Sequence, residues 1–127
     1  MAETQVDLTI DKSADDVWAI VRDFGGLTKW SPGIETCRVE GDDRVLAMNG
    51  MEITEHLFRL DDDARVLTYG VTAGAPFEHH RVTITVTPQG DGSNVTWDVD
   101  VKPDEMAPMM KDIYGKGLAA LKKYAET

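Results

Sequence analysis

Glu55 lies in a run, Met51 to Leu60, where apolar and polar residues alternate. It shares strand parity with Ile53 and Leu57, so an inward face there would set a carboxylate among hydrocarbon, where lost hydration disfavours its charged form. A carboxyl group so placed can transfer a proton or anchor the polar end of a ligand. It can equally be a structural acid bonded to Tyr69, Arg59 or a backbone amide. His56 has the opposite parity, and only a bulge could turn both residues to one face. His79 and His80 also point to opposite faces. His80 shares parity with Val82, Ile84 and Val86, which makes it the inward candidate, either as a rim residue or as a partner of Glu55 in acid/base chemistry. Tyr69 and Trp97 follow the apolar parity of their own runs. Each can present a flat ring with one polar edge, which suits an aromatic ligand, or can simply pack.

Further candidates are softer in character. Met106, Met109 and Met110 cluster before Ile113, Tyr114 and Gly117, and a thioether adapts to irregular surfaces. The same spacing also describes an ordinary core stripe. Gly115 and Gly117 remove bulk inside a helical pattern at a cost of up to about 1 kcal/mol each relative to Ala. The space gained can serve close packing or a ligand. Trp30 and Phe77 lie at turns, where they can frame a cavity mouth. His56, His79 and His80 show no metal-ligand spacing, so the expected metal content is none. No glycine-rich nucleotide loop, nucleophile elbow or Cys–His motif occurs, and no cofactor is expected. Cys37 is the only cysteine and reads as a small buried hydrophobe.

Periodicity supplies the elements that hold these residues. Val6, Leu8 and Ile10 alternate with polar partners as a strand. Ser13-Ala14-Asp15-Asp16 is a capping box, and Val17, Ile20, Val21 and Phe24 follow at helical spacing until Gly25-Gly26. A second short helical turn is expected over Leu27 to Trp30. Strands are then expected over Ile34 to Glu40, Arg44 to Met48, Met51 to Leu60, Arg65 to Thr72, Glu78 to Thr87 and Asn94 to Val101. Asn49-Gly50 is the strongest hairpin signal, and Pro88 to Ser93 reads as a polar loop. A last helix starts near Pro108, carrying Met110, Ile113, Gly117, Leu121 and Tyr124 at helical spacing.

Consecutive antiparallel strands with one apolar face need a cover, and only this final helix is long enough. About 18 residues span roughly 27 Å. The expected fold class is α+β: a curved antiparallel sheet of about seven strands around a long C-terminal helix, with two short helices after the first strand. Residues 1–127 are expected to form one domain. A sheet curved around one helix leaves part of its interior open. The entrance is expected between Trp30, the stretch from Gly74 to Phe77, and Met106 to Met110, where glycines and a proline loosen the backbone.

Bulk properties narrow the partners. The net charge of −10 opposes binding to nucleic acid and to anionic membranes. No apolar run approaches the roughly 20 residues needed to cross a bilayer. Met-Ala-Glu-Thr-Gln lacks the marks of a signal peptide, so a cytoplasmic location is expected; as to assembly, monomer and homodimer both stay open.

Val6-Asp7-Leu8-Thr9-Ile10-Asp11, Val17-Trp18, Asp23-Phe24 and Trp30-Ser31-Pro32-Gly33 resemble the START-like, helix-grip (SRPBCC) superfamily. Glu55-His56-Leu57, Leu67-Thr68-Tyr69, Val95-Thr96-Trp97 and Ile113 to Leu118 extend the resemblance along the whole chain. It is closest to the bacterial polyketide cyclase/dehydrase-like group. The resemblance implies a hydrophobic small-molecule ligand, a lipid, aromatic or polyketide, held in an internal cavity by a carrier or sensor. It also implies, as alternatives, a cofactor-independent cyclase or aromatase, or a protein-interaction module; the family supplies no catalytic set to carry over, and strand parity makes Glu55, Tyr69 and His80 the candidate catalytic groups of such an enzyme. The ligand-contacting residues expected are Trp30, Tyr69, Phe77, His80, Trp97, Met106, Met109, Met110, Ile113, Tyr114 and Gly117.

Overall fold

Period-2 alternation produces seven strands, and one helical stripe near each end of the chain covers their apolar face. The structure, a computed structural model, describes residues 2–127. In chain order the elements are β1 (Ala2–Ile10), α1 (Ala14–Val21), a 3-10 turn (Leu27–Lys29), β2 (Thr36–Glu40), β3 (Asp43–Met48), β4 (Met51–Asp61), β5 (Val66–Ala73), β6 (His79–Gln89) and β7 (Gly92–Lys102). A second 3-10 turn (Asp104–Met106) leads into α2 (Ala107–Glu126). All neighbouring strands are antiparallel, in the order β1-β7-β6-β5-β4-β3-β2. This is the helix-grip arrangement.

Local chemistry accounts for the boundaries. The Ser13 side chain accepts from the Asp16 amide at 3.1 Å and caps α1. Asn49 and Gly50 both have positive φ, 51° and 75°, as a two-residue I′ hairpin requires. That turn pairs Met48 with Met51 and, four residues further back, Arg44 with Glu55.

Two expectations change. β1 runs from Ala2, well before Val6, because it pairs with β7 along its whole length. The Pro88 to Ser93 segment is strand nearly throughout: Pro88 pairs with Ser93 and Gln89 with Gly92. Pro88 is tolerated because β5 stops pairing with β6 at Thr85, so no ladder bond is lost on that side.

The interior has two ends. At one, α1 and the C-terminal half of α2 close over the sheet. Ile10, Val17, Val86, Val95, Leu118 and Leu121 are all essentially inaccessible there. Lys122 donates to the Thr9 carbonyl at 3.0 Å, and the Asp11 amide donates to Glu126 at 2.8 Å, which ties the end of α2 to the end of β1. At the other end, the N-terminal half of α2 stands over His80 and Trp97, and the packing is incomplete.

Candidate functional site

A cavity of about 200 Å³ lies between the sheet and the first half of α2. Its wall is mainly apolar, with Leu46, Ile53, Leu67, Val71, Ile84 and Met110 among its members. Four rings with polar atoms, those of Trp30, Tyr69, Trp97 and Tyr114, add to it, together with Phe77, His80, Arg44 and Glu55. Cross-strand register explains the placement. Residues two apart on a strand share a face, so Ile53 with Glu55, and Tyr69 with Leu67, project to the same side.

Glu55 is buried but not alone among hydrocarbon. Arg44 Nε donates to its Oε1 at 2.7 Å, and Arg44 Nη1 donates to the Phe24 carbonyl at 3.0 Å. The guanidinium carbon lies 4.0 Å from the centroid of the Phe24 ring and 4.7 Å from that of Tyr69. The cation is therefore flanked by two aromatic rings and held by a carboxylate and a carbonyl. Such a pair is costly to desolvate and more costly to break, because removing one partner strands the other. The structural partner of Glu55 is Arg44, not Tyr69, Arg59 or a backbone amide.

His80 is fixed from both sides. Its Nδ1 accepts from the Val71 amide at 3.1 Å, and its Nε2 meets the Tyr114 hydroxyl at 2.9 Å. Burial first, and then the electrostatic influence of its neighbours His79 and Arg81, hold its pKa down to about 4. The ring is accordingly neutral near pH 7. A backbone amide can only donate, so the ring proton resides on Nε2 and is donated to Tyr114. Gly70 makes room for this arrangement, since a Cβ there would run into the His80 carbonyl. Burial, followed by the charge of Glu55, raises the Tyr69 phenol above the ordinary tyrosine range. Tyr114 is raised too, by burial first and then by its neighbour Tyr69.

Trp97 sits beneath α2. Its ring meets Tyr114 edge-on at 5.2 Å and Trp30 at 6.3 Å between centroids. A Cβ at Gly117 would come within 3.1 Å of the Trp97 ring, so this glycine lets the indole pack under the helix. Gly115 has nothing within 4 Å of the same position and serves no such packing. The indole N–H groups of Trp30 and Trp97 are buried without a hydrogen-bond partner among the described residues.

Of the residues singled out from sequence, Glu55, Trp30, Tyr69, Phe77, His80, Trp97, Met110, Ile113, Tyr114 and Gly117 stand on the cavity wall. Met106 and Met109 do not. Met106 packs against the core from the 3-10 turn before α2, and Met109 is 47% exposed on the outer side of the helix. Met106 lies in the 3-10 turn, so the α-helical spacing does not extend to it, and the adjacent Met109 and Met110 point about 100° apart around the helix, Met110 inward and Met109 outward. His56 faces outward, 2.6 Å from Asp43 and edge-on to Phe58, and His79 lies 3.7 Å from Asp100. Cys37 is half-buried with its thiol near the Phe24 carbonyl, and burial pushes its pKa up.

Sequence reasoning missed Arg44, Ser31, Pro32 and Ile34 as wall residues. For Arg44 the signal was available: counting back from the Asn49-Gly50 turn sets it opposite Glu55. For the Ser31 to Ile34 stretch there was none, because a coil has no periodicity to show which way it faces.

Comparison with known proteins agrees with this geometry. A family model described as polyketide cyclase/dehydrase and lipid transport matches residues 1–126. Among solved structures, the protein XoxI from Bacillus cereus is 29% identical, with a TM-score of 0.90 over 97% of this chain and 94% of that one. A START superfamily protein from Mycobacterium smegmatis is 20% identical, with a TM-score of 0.76 over 99% of this chain and 95% of that one. The di-domain aromatase/cyclase BexL of the BE-7585A biosynthetic pathway is 21% identical, with a TM-score of 0.85 over 99% of this chain and 47% of that one. The last two likenesses speak for the fold alone. A search of curated proteins finds no match. No helix among the described residues is long and apolar enough to cross a membrane. The chain belongs to the polyketide cyclase/dehydrase and lipid transport family, with the START-like helix-grip fold.

Proposed function

We propose that the protein binds a hydrophobic small molecule in the cavity beneath α2, as a carrier or sensor. The observation that carries this reading is an apolar wall that stays open between helix and sheet, with Ile113 on the wall and 46% exposed. Apolar concave sites with few polar groups are the usual form of a small-molecule site. Trp30 and Trp97 are part of the wall, so their fluorescence reports occupancy directly. Titration with naphthalene-sized aromatics should quench or shift that emission with saturation. Gly117→Leu, which drives a side chain into the Trp97 ring, should abolish the response while the fold is retained. A response unaltered by Gly117→Leu would overturn the reading.

A second reading, catalysis of the cyclase type, is favoured by one observation. Tyr114 accepts from a neutral His80 and is hydrogen-bonded onward to Tyr69, so the Tyr69 hydroxyl keeps a hydrogen with which to polarise a carbonyl. Glu55 would take a proton from the carbon beside that carbonyl, and the phenol would stabilise the resulting enolate. Arg44 already occupies the Glu55 Oε1 at 2.7 Å, which is why binding is preferred. Undiminished turnover of an identified substrate by Glu55→Gln would exclude this role.

A further inference from the structure

The hydrogen bonds around His80 run in one direction. The Val71 amide donates to Nδ1, Nε2–H donates to the Tyr114 oxygen, and the Tyr114 hydrogen remains to be given onward. Tyr69 is the neighbour able to receive it within the protein. Tyr69 ends the chain, and what reaches the cavity is a donor. The indole N–H of Trp97, a side chain 4% exposed, adds a second donor with no partner among the described residues. The Trp30 N–H is buried in the same unpartnered way. Polar groups in this state are costly unless something accepts from them.

Charge adds a second constraint. Arg44 is the sole cation among the wall residues, and it is held by Glu55 and the Phe24 carbonyl. An ionised ligand would be buried with no uncompensated opposite charge, in a protein whose net charge is already −10.

We propose that Val71, acting through His80, fixes Tyr114 as a donor, and that the cavity therefore selects a neutral apolar compound bearing an acceptor oxygen, such as a ketone, ester or quinone, over a carboxylate. Tyr114 passes its hydrogen to Tyr69, so Tyr69 and Trp97 touch the ligand oxygen, whereas His80 and Tyr114 are positioning residues. This rests on the binding reading above and names the ligand chemistry within it.

Three probes of nearly equal shape test it: 2-acetylnaphthalene, 2-ethylnaphthalene and 2-naphthoate, titrated at pH 7 and followed by tryptophan fluorescence and calorimetry. Tyr69→Phe should weaken the ketone about tenfold, the worth of one good hydrogen bond, and change the hydrocarbon by less than about twofold. Naphthoate should bind the unaltered protein at least about tenfold more weakly than the ketone. Ring-nitrogen chemical shifts of His80 in the unaltered protein should show Nδ1 bare and Nε2 protonated, a readout independent of how any variant folds. Equal losses for ketone and hydrocarbon in a folded Tyr69→Phe protein, tight naphthoate binding, or a proton on Nδ1 would overturn the inference and leave cavity binding intact. Failure of all three probes to bind would instead overturn the binding reading, and this inference with it.

Discussion

The two ends of the interior are built from different materials. Beneath α1 and the last turns of α2, compact aliphatic side chains such as Ile10, Val17, Val86, Val95, Leu118 and Leu121 meet from both layers and interdigitate. Beneath the first turns of α2 the interior is made of rings and paired polar groups. Tyr69, Trp97 and Tyr114 are planar and can settle only at fixed mutual angles, and Arg44 with Glu55 holds a fixed separation. Planes and ion pairs do not relax into gaps. The contrast teaches that the opening is a product of side-chain shape as much as of sheet curvature, since the same sheet and the same helix close completely only a few turns away.

The largest expected effect comes from separating the buried ion pair. Glu55→Leu should cost about 3–5 kcal/mol of stability, because it leaves the Arg44 cation buried without its carboxylate. Combining it with Arg44→Met should restore most of the loss. Denaturant unfolding of the two proteins measures the difference, and equal midpoints would mean that the pair does not hold the open end together.

At the closed end, Leu121→Ala should cost about 2–5 kcal/mol, since the residue is fully buried and its surroundings are already filled. The affinity of any cavity ligand should stay within about twofold. A large loss of affinity would show that the two ends are not separate.

The next effect is a pH dependence that belongs to the open end. His80 is held at about 4 in the folded protein, below the ordinary histidine value of about 6.5. Between those values the unfolded chain binds more protons, so stability rises with pH across the window. The contribution is complete above about pH 6.5, falls as the pH drops toward 4, and is worth up to about 3 kcal/mol. The groups packed around His80 are Phe77, Tyr69 and Tyr114, with His79 and Arg81 beside it in the chain. Thermal melts from pH 4 to 7 should flatten for His80→Gln relative to the unaltered protein. An unchanged slope would contradict the burial of a neutral ring.

The smallest effect separates two glycines of one helix. Gly115→Ala should stabilise by up to about 1 kcal/mol, because its Cβ would enter open space. Gly117→Ala should gain less or lose, because its Cβ must displace the Trp97 ring. Equal gains for both would mean that the indole is loosely seated.

The sequence carried most of the fold and a particular portion of the wall. Strand parity put His80 and Trp97 on the inner face because alternation is strict over most of β6 and β7, and it put Glu55 and Tyr69 there although β4 and β5 alternate less regularly. Parity held for Glu55 despite pairing shifts between Thr54 and Glu55 and between Leu57 and Arg59, neither of which any Gly or Pro foretold. Those shifts leave Phe58 exposed on the far side, where the Arg81 guanidinium covers its ring at 3.6 Å. Met109 was misread because helical spacing fixes a stripe but not its width. The Arg44–Glu55 pair was countable from the hairpin, yet alternation alone gives no reason to look for a cation beneath an apolar face.

The ladder between β5 and β6 has a mechanical consequence. It joins only four residue pairs, Val66 with Thr85 through Tyr69 with Val82, and beyond them the Val71 amide is held by a side chain in place of a strand. β6 with β7, by contrast, is joined at eleven positions. The sheet is thus two panels with a short seam, and the seam runs across the cavity floor. α2 rides on the β1 and β7 panel, so flexing the seam would alter the width of the chamber without disturbing the seat of the helix. The imidazole of His80 acts as the clasp on that seam.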